Sequence, residues 1–375
     1  MNVPKLRFKE FDGEWEENKL SNLLVKIEEK ATDTTKGVVL TSSRMGLFPR
    51  SEYFNGREEK DIEGYSIIPK NTFTYRQMSD DNTFHINYNT KYNLGLVSPE
   101  YPVFKTNNFL TDEYFFNYIN NSPRFKKHCV LQKKGGTRTR LYFKVLGELV
   151  IAKPSIEEQK KIGDFFNLLN KKIQLQQQKI DLLQEQKKGF LQKMFPKAGE
   201  TQPEMRFDGF TGEWEQSKFA QILKTYPFQS YLMNPSQSGK YEVIQQGDKP
   251  VVGYADGEPF EDFDDVSLFG DHTVSLYKPK EPFFVATDGV KIIGADNFDG
   301  KYLFATLERY KPDPQGYKRH FTILKNEDIQ FTINKDEQVK IGMFFKKLDD
   351  IISFHQKKLE LLQKQKKGFM QQMFI

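Results

Sequence analysis

One long stretch of this chain occurs twice, and this duplication constrains the fold more than any other feature. IEEQKKIGDFFNLLNKKIQLQQQKIDLLQEQKKGFLQKMF (156–195) aligns without gaps to KDEQVKIGMFFKKLDDIISFHQKKLELLQKQKKGFMQQMF (335–374), and about 22 of the last 39 pairs are identical. Upstream of each copy, PKLRFKEFDGEWEENKLSNLL (4–24) matches PEMRFDGFTGEWEQSKFAQIL (203–223) and aligns Trp15 with Trp214. The chain is therefore an internal repeat of two halves, and the blocks between the repeated pieces differ in sequence and length.

Each long repeat predicts a helix with a narrow apolar seam. Apolar residues alternate at steps of four and three over more than four heptads, which is the pattern of a coiled coil. The seam contains Ile162, Phe166, Leu169, Ile173, Ile180, Leu183 and Phe190 in the first copy, and Ile341, Phe345, Leu348, Ile352, Leu359, Leu362 and Phe369 in the second. At 1.5 Å per residue each helix would be about 50 Å long. An amphipathic helix lying on a domain core is the alternative.

The charges favour antiparallel pairing of the two helices. Each begins with acids and ends with lysines, so a parallel pair would place like charges side by side. Antiparallel pairing would bring Lys187 within reach of Asp349, whereas Asn170 stands at the position equivalent to Asp349 and leaves the second contact missing. Gln176 and His355 interrupt the seam at equivalent positions, and we expect them to form adjacent polar layers that set the register.

The repeats keep a glycine near their ends, Gly189 in the first and Gly368 in the second. Glycine within a helix costs about 1 kcal/mol relative to alanine. We expect close approach of another backbone at these positions, from the paired helix or from a docked partner subunit. Fraying of the last turn is the alternative.

The blocks at 25–155 and 224–334 are each predicted to be an α+β module. Short apolar alternations between Gly and Asp turns predict strands, for example at YEVIQQ (241–246), PFFVATDGVKII (282–293) and KYLFATL (301–307). DEYFFNYINNSPRFKKH (112–128) predicts helix. The acid-rich run GEPFEDFDD (257–265) is expected to face solvent or a basic partner, and FGDHT (269–273) to be a structural turn.

Basic loops just before each long helix carry the main functional signal. Flexible glycine beside arginine suits close approach to a phosphate backbone, and arginine also reads guanine in the major groove. The candidate DNA contacts are Lys133, Lys134, Arg138 and Arg140 in QKKGGTRTRLYFKV (132–145), Lys318, Arg319 and His320 in GYKRHFTIL (316–324), and Tyr75 and Arg76 in TYRQMSDDNTF (74–84). Ordinary solvated loops, and for the last segment a surface hairpin tip, are the alternatives.

Composition and motif searches narrow the class of protein. The single cysteine, Cys129, excludes an internal disulfide framework, and no apolar run is long enough to span a membrane, so we expect a soluble cytoplasmic protein. Paired metal spacings, a Walker A loop, GxSxG and the dinucleotide GxGxxG are all absent from the sequence. We therefore favour a non-catalytic protein that binds no cofactor or metal.

Two divergent blocks, each preceded by "RF..F.GEWE" and followed by "EQ..IG.FF..L" and "QKKGF.Q.MF", resemble the DNA specificity subunit of type I restriction-modification systems. The resemblance covers essentially the whole chain. It implies two target recognition domains, at 1–155 and 203–334, that each read half of a bipartite site in double-stranded DNA. The long helices at 156–197 and 335–375, with a linker at 198–202, would form an antiparallel coiled coil and give the chain a pseudo-twofold repeat.

The same resemblance implies the division of labour. Two methylation subunits and restriction subunits would be the partners, and S-adenosylmethionine and ATP would be bound by them, leaving no cofactor on this chain. A structural coiled-coil scaffold with two protein-binding α+β heads is the alternative function.

Overall fold

The computed structural model describes residues 3–57, 59, 61–133, 137–316 and 318–374. The chain divides into two units: unit 1 contains Met1–Leu175 with Leu359–Ile375, and unit 2 contains Gln176–Lys358. Each unit thus combines one globular head with a segment of both long helices. No helix in the described part of the chain is long and apolar enough to cross a membrane.

Unit 1 is built from short strands and helices around one main core. The strands are β1 (Glu16–Lys19), β2 (Leu24–Ile27), β3 (Val38–Ser43), β4 (Gly46–Pro49), β5 (Ser66–Pro69), β6 (Phe73–Thr74), β7 (Met78–Ser79), β8 (Asn87–Tyr88), β9 (Leu94–Val97), β10 (Val103–Thr106), β11 (Thr139–Arg140) and β12 (Val150–Lys153). The helices are α1 (Arg50–Tyr53), α2 (Asp112–Ile119), α3 (Pro123–Val130), α4 (Phe143–Gly147) and the long α5 (Ile156–Lys193).

Unit 2 uses fewer strands. These are β13 (Glu215–Lys218), β14 (Leu223–Tyr226), β15 (Tyr241–Ile244), β16 (Val251–Ala255), β17 (Ser267–Gly270), β18 (Leu276–Tyr277), β19 (Phe283–Val285), β20 (Val290–Ala295) and β21 (Asp328–Phe331). The helices are α6 (Phe219–Ile222), α7 (Gly300–Tyr310), α8 (His320–Asn326) and the long α9 (Lys335–Met373).

The two heads share one topology although their sequences differ. Unit 1 contains an antiparallel sheet of order β2-β10-β6-β8, and unit 2 contains the corresponding β14-β20-β17-β18. A second sheet, β4-β3-β9-β5 in unit 1 and β16-β15-β19 in unit 2, includes one parallel pair in each unit, β3 with β9 and β15 with β19. Strand β1 pairs with β12, and β13 pairs with β21 in the same way. The α+β repeat predicted from the sequence is confirmed.

Two local predictions need correction. Residues 301–307 belong to helix α7 and are not a strand, because the Asp299 carboxylate caps the helix by accepting from the amides of Lys301 and Tyr302. The predicted helix at 112–128 is two helices, since Ser122 caps α3 by accepting from the Phe125 amide and Pro123 occupies its first turn.

The repeated upstream motif anchors each long helix at its start. The Arg7 guanidinium donates to both carboxylate oxygens of Glu158, at 2.8 and 2.7 Å, and to the carbonyl of Gly13 at 2.6 Å. Arg206 repeats this arrangement with Glu337, at 2.7 and 2.9 Å. Two-pronged, buried arginine–carboxylate pairs are geometrically specific, so the duplicated "RF" and "EQ" are the two halves of one structural clamp.

The glutamine that follows each clamp glutamate forms hydrogen bonds with backbone groups of the head. Gln159 accepts from the Thr111 amide at 2.9 Å and donates to the Pro154 carbonyl at 2.9 Å. Gln338 likewise accepts from the Asp299 amide at 2.9 Å and donates to the Thr332 carbonyl at 2.8 Å. Both glutamines are fully buried, so their hydrogen bonds join the head to the helix start.

The "MF" at the end of each repeat is part of a head core. In unit 1 the Phe374 ring stacks on Phe166, with ring centroids 5.3 Å apart, and packs edge-on against Tyr114. In unit 2 the Phe195 ring stacks on Tyr302 at 5.9 Å and packs edge-on against Trp214 at 5.6 Å. The last turn of each helix is therefore an apolar anchor.

Candidate nucleic-acid interface and helical seam

Two of the sequence segments predicted to contact DNA lie side by side in unit 1. Strand β11 pairs antiparallel with β7, so that Arg140 stands opposite Met78 and Thr139 opposite Ser79. Arg138 extends from the same edge and its Nε donates to Asp80 Oδ1 at 2.9 Å. The ladder thus places the basic segment before α4 next to the segment that contains Arg76.

That segment forms one wall of an open cleft of about 800 Å³ in the head of unit 1. Arg76 lines the cleft, is exposed, and makes no hydrogen bond or ion pair within the described residues. Arg44 and Arg50 line it as well, and Met45, at the tip of the β3–β4 hairpin, is 86% exposed. Asp80 and Glu100 also line the cleft, so its three arginines leave a small excess of positive charge, which is suited to a polyanion.

The sequence reasoning did not identify Arg44 and Arg50. The sequence feature that could have indicated Arg44 is the two-residue turn Arg44-Met45. It connects strands that end at Ser43 and begin at Gly46, and it places the arginine at a hairpin tip. Arg44 pairs with Asp81, and hydrogen bonds from Ser79, Arg44 and the Thr83 amide lower the pKa of Asp81 to about 2. The carboxylate therefore stays ionised and holds the arginine at the cleft edge.

Tyr75 does not fit the prediction of direct DNA contact, because it is fully buried in the core. Its hydroxyl donates to the Leu141 carbonyl at 3.0 Å, and the Leu141 amide donates to the Gln77 carbonyl at 2.9 Å. Burial raises the pKa of Tyr75 well above its ordinary value. Tyr75 therefore supports the paired segments from behind, one residue before the exposed Arg76.

In unit 2 the loop before α8 carries exposed Lys318 and Arg319, whereas His320 is fully buried. The His320 ring donates through Nδ1 to the Asp271 carbonyl at 3.1 Å, and its Nε2 accepts from the Gln315 amide at 2.9 Å. His320 thus does not fit the prediction of DNA contact, and it anchors the loop instead. Asp271 accepts from the Phe321 amide at 2.9 Å, so FGDHT is a structural turn, as predicted.

The free basic side chains of the two loops occupy equivalent positions. Arg140 and Arg319 each lie sixteen residues before the first residue of their long helix, and both are exposed. Neither makes an ion pair or hydrogen bond within the part of the chain that the structure describes. Lys133 is exposed as well, and Lys134 lies outside the described residues. The acidic run at 257–265 exposes its carboxylates.

Every predicted residue of the helical seam is buried or half-buried. In unit 1 the Phe165 ring of α5 packs edge-on against Phe369 of α9, with ring centroids 5.1 Å apart. In unit 2 Phe190 and Phe344 form the corresponding contact, also at 5.1 Å. Within each unit the α5 and α9 segments run antiparallel, so the predicted pairing of the two helices is confirmed.

The polar interruption of the seam is a direct hydrogen-bonded pair in unit 2. The side-chain amide of Gln176 lies 2.8 Å from His355 Nδ1 and donates to the His355 carbonyl at 2.9 Å. Partial burial lowers the pKa of His355, and the nearby Lys179 and Lys358 lower it further. A neutral ring leaves Nδ1 free to accept, which matches the contact from Gln176.

The expected ion pair of the seam is also present. Lys187 Nζ lies 2.5 Å from Asp349 Oδ1, and the same ammonium group lies 2.5 Å from Glu308 Oε2 on α7. The expected approach of the paired helix to the repeated glycines is wrong, whereas the approach of a docked subunit stays a prediction: a Cβ at Gly189 or Gly368 would have no described atom within 4 Å. The paired helix does not approach these glycines.

The close approach occurs at the other glycine of each repeat. A Cβ at Gly163 would lie 2.8 Å from Glu113 Cβ at the start of α2, and one at Gly342 would lie 2.6 Å from the Tyr302 amide at the start of α7. The sequence signal was the "IG.FF" shared by both copies. These glycines let a head helix begin directly on the long helix.

Comparison with known proteins shows which family this chain resembles. The profile of the type I restriction modification DNA specificity domain matches residues 13–185. The crystal structure of the type I restriction-modification system S subunit from M. genitalium matches with a TM-score of 0.64 at 13% identity, covering 100% of this chain and 99% of that one. No curated protein matches the sequence significantly.

A second solved structure, from work on complex assembly and conformational transition of the type I R-M system, matches with a TM-score of 0.50 at 12% identity and covers 95% of this chain and 96% of that one. At these identities the structural matches establish the fold. Together with the family profile they confirm the resemblance to type I specificity subunits that the repeated motifs indicated.

Proposed function

We propose that this chain, a DNA specificity subunit of the type I restriction-modification class, reads one half of a bipartite DNA target with each of its two heads. The observation that supports this most directly is the equivalence of Arg140 and Arg319, which are exposed, form no side-chain ion pair or hydrogen bond with a described residue, and lie at the same distance before their long helices. A buried group holds each loop in place: Tyr75 in unit 1 and His320 in unit 2. A rigidly held loop with a free guanidinium fits base or phosphate recognition.

In unit 1 the DNA-binding surface comprises the cleft arginines and the β7–β11 edge. Arg76 and Arg140 form no ion pair with a described residue, whereas Arg138 and Arg44 are paired with Asp80 and Asp81. Exposed ion pairs of this kind contribute little stability, so phosphate can replace the aspartates at small cost. We assign Arg76 and Arg140 to direct contacts and the paired arginines to contacts that form on binding.

The exposed faces of the long helices would carry the methylation subunits. In unit 1 Leu168 and Leu175 of α5 and Leu361 of α9 are exposed outside the paired seam, and in unit 2 Leu182 of α5 and Phe354 of α9 are exposed as well. The repeat aligns Leu175 with Phe354 and Leu182 with Leu361. Exposed apolar stripes rimmed by polar residues mark protein interfaces, and their duplication supports docking of two copies of one subunit.

The chain itself is assigned no catalytic step. S-adenosylmethionine and ATP would be held by the partner subunits, methyl transfer and cleavage would take place there, and the complex would work in the cytoplasm. Among the described residues no group of three or more His, Cys, Asp and Glu side chains could hold a metal ion. A purely structural scaffold is not favoured, because the family profile that matches 13–185 is that of a DNA specificity domain.

Binding to a mixed-sequence DNA duplex, measured by fluorescence anisotropy at several salt concentrations, tests this function. The affinity of the parent chain should fall steeply with salt, because bound lysine and arginine release counterions from the DNA. Arg140→Ala and Arg319→Ala should each weaken binding to this duplex and lower the salt slope by about one, because each removes one positive charge that lies near the DNA.

Lys172→Ala is the matched control, since Lys172 is an exposed lysine of α5 that forms no ion pair with a described residue. It should bind like the parent. Salt-independent binding by the parent chain, or equal losses in the control and the two arginine variants, would contradict the proposal.

A further inference from the structure

Two lysines at equivalent positions of the helical seam, Lys187 in unit 2 and Lys366 in unit 1, have different surroundings. In unit 2 Lys187 is surrounded by two carboxylates, Asp349 and Glu308, each with an oxygen 2.5 Å from the ammonium nitrogen. The Lys187 side chain is only 10% exposed. A buried ammonium group requires such partners, because removing it from water without them is costly.

In unit 1 the gap-free repeat places Lys366 at the position of Lys187 and Asn170 at the position of Asp349. Lys366 is half-buried, and it makes no hydrogen bond or ion pair with any described residue. The Asn170 side chain donates to Asn117 Oδ1 at 3.4 Å and supplies no charge. Burial lowers the pKa of Lys366, with no nearby acid to oppose it.

Lys366 lines an open cavity of about 540 Å³ in unit 1. Two further lysines, Lys126 and Lys367, line it, together with the apolar side chains of Ile173 and Met370. Its described lining contains no aspartate or glutamate. Unit 1 therefore holds, beside the seam, a preformed cationic cavity whose counterpart position in unit 2 is filled by the chain's own carboxylates.

We propose that this cavity receives a carboxylate side chain from the methylation subunit that docks on this segment of the helices. The inference rests on the proposed function and adds the chemistry of one docking contact. The equivalent lysine already binds aspartate and glutamate, which establishes that this geometry accepts a carboxylate. A protein side chain fits better than a DNA phosphate, because Ile173 and Met370 offer apolar surface beside the lysines.

The consequence is an asymmetry between the two halves of a repeated scaffold. Unit 2 neutralises its seam lysine internally, so a partner docking there meets no free cation at this position. Unit 1 leaves Lys366 for the partner, so docking at this end gains a charge-assisted contact that the other end lacks.

Asn170→Asp is the decisive variant, because it supplies the missing internal carboxylate and copies the Lys187–Asp349 pair. We expect it to raise the thermal unfolding temperature at low salt and to weaken binding of the purified methylation subunit about tenfold in calorimetry. Lys366→Met keeps the length of the side chain and removes the charge, and it should weaken that binding to a similar degree. Asp349→Asn is the matched change in unit 2 and should lower the unfolding temperature.

The outcomes separate the two proposals. If the parent chain binds neither DNA nor the methylation subunit, the proposed function fails, and the stability of Asn170→Asp still decides whether the cavity takes a carboxylate. If the parent binds both and neither Asn170→Asp nor Lys366→Met changes the affinity for the methylation subunit, the inference is overturned. Loss of DNA binding in Lys366→Met, with subunit binding intact, would overturn it in favour of a phosphate.

Discussion

At the scale of single residues, the two kinds of repeated glycine have different roles. Gly342 lies under the first turn of α7, where an added Cβ would approach Lys301 Cβ to 2.9 Å, whereas the surroundings of Gly189 are open to 4 Å. Both belong to a helix interior, where alanine is favoured by about 1 kcal/mol when nothing is in the way. Packing therefore decides whether a glycine-to-alanine change stabilises or destabilises the chain.

Gly342→Ala should destabilise the chain by about 1–3 kcal/mol, because a methyl group forced against backbone shifts the helix contact. Gly189→Ala and Gly368→Ala should instead stabilise it by up to about 1 kcal/mol. Urea unfolding followed by circular dichroism measures both. Equal effects at Gly342 and Gly189 would show that the contact with α7 does not constrain this position.

The sequence predicts where the basic segments lie, but it does not predict which of their side chains face solvent and which face the core. Tyr75 and Arg76 are adjacent, and only the second faces solvent. His320 follows exposed Arg319 and is fully buried. Aromatic and imidazole side chains suit both a core hydrogen bond and a nucleic-acid contact, so residue type alone does not separate these roles. The sheet pairing that buries them is long-range and is not encoded in the local pattern.

At the scale of elements, the long helices were predictable because their signal is local and repeated. A heptad pattern over more than four heptads fixes which face is buried, and the observed burial follows it at every seam position. The short elements were less predictable from the sequence. Residues 301–307 are apolar enough for a strand, but they form a helix that the Asp299 side chain caps. A cap side chain and a tertiary contact outweigh a weak propensity.

The polar layer of the seam makes the stability of unit 2 depend on pH. Burial lowers the pKa of His355 in the folded chain. When the pH falls below the ordinary histidine pKa of about 6.5, the unfolded chain therefore binds more protons than the folded chain. Stability should therefore be constant above about pH 7, fall as the pH drops below 6.5, and level off below the lowered pKa. Protonation would also remove the Nδ1 acceptor that faces Gln176.

Replacing both Gln176 and His355 with leucine should remove this part of the pH dependence of stability. Comparison of urea midpoints for the parent and the double variant between pH 5.5 and 8 isolates it, because the other histidines are common to both chains. The same variant should loosen pairing specificity, since a polar seam residue sets register. An identical pH profile, or an unchanged register in a crystal structure of the variant, would count against this role.

At the scale of the whole molecule, the chain is one architecture used twice with different reading surfaces. The pieces that repeat in sequence, the Arg–Glu clamp, the buried glutamine and the terminal Met-Phe, are those that attach a head to the long helices. The pieces that differ are the strands and loops of the heads, which nevertheless keep one topology. A repeated joint beside varied loops is the arrangement that the proposed function needs, in which each head reads its own half-site.

Independent heads predict independent half-sites in a living cell. With its partner subunits present, the parent chain should direct methylation to one bipartite motif, read out by methylome sequencing. Arg140→Ala should relax the base preference in one half of that motif and Arg319→Ala in the other, because each arginine belongs to a different head. Arg140→Lys keeps the charge but loses the two-pronged geometry, so it should relax the same half while overall DNA affinity is largely kept. If both arginine variants altered the same half, or lowered methylation evenly with the motif intact, the arginines would be phosphate contacts and base reading would lie elsewhere in the heads.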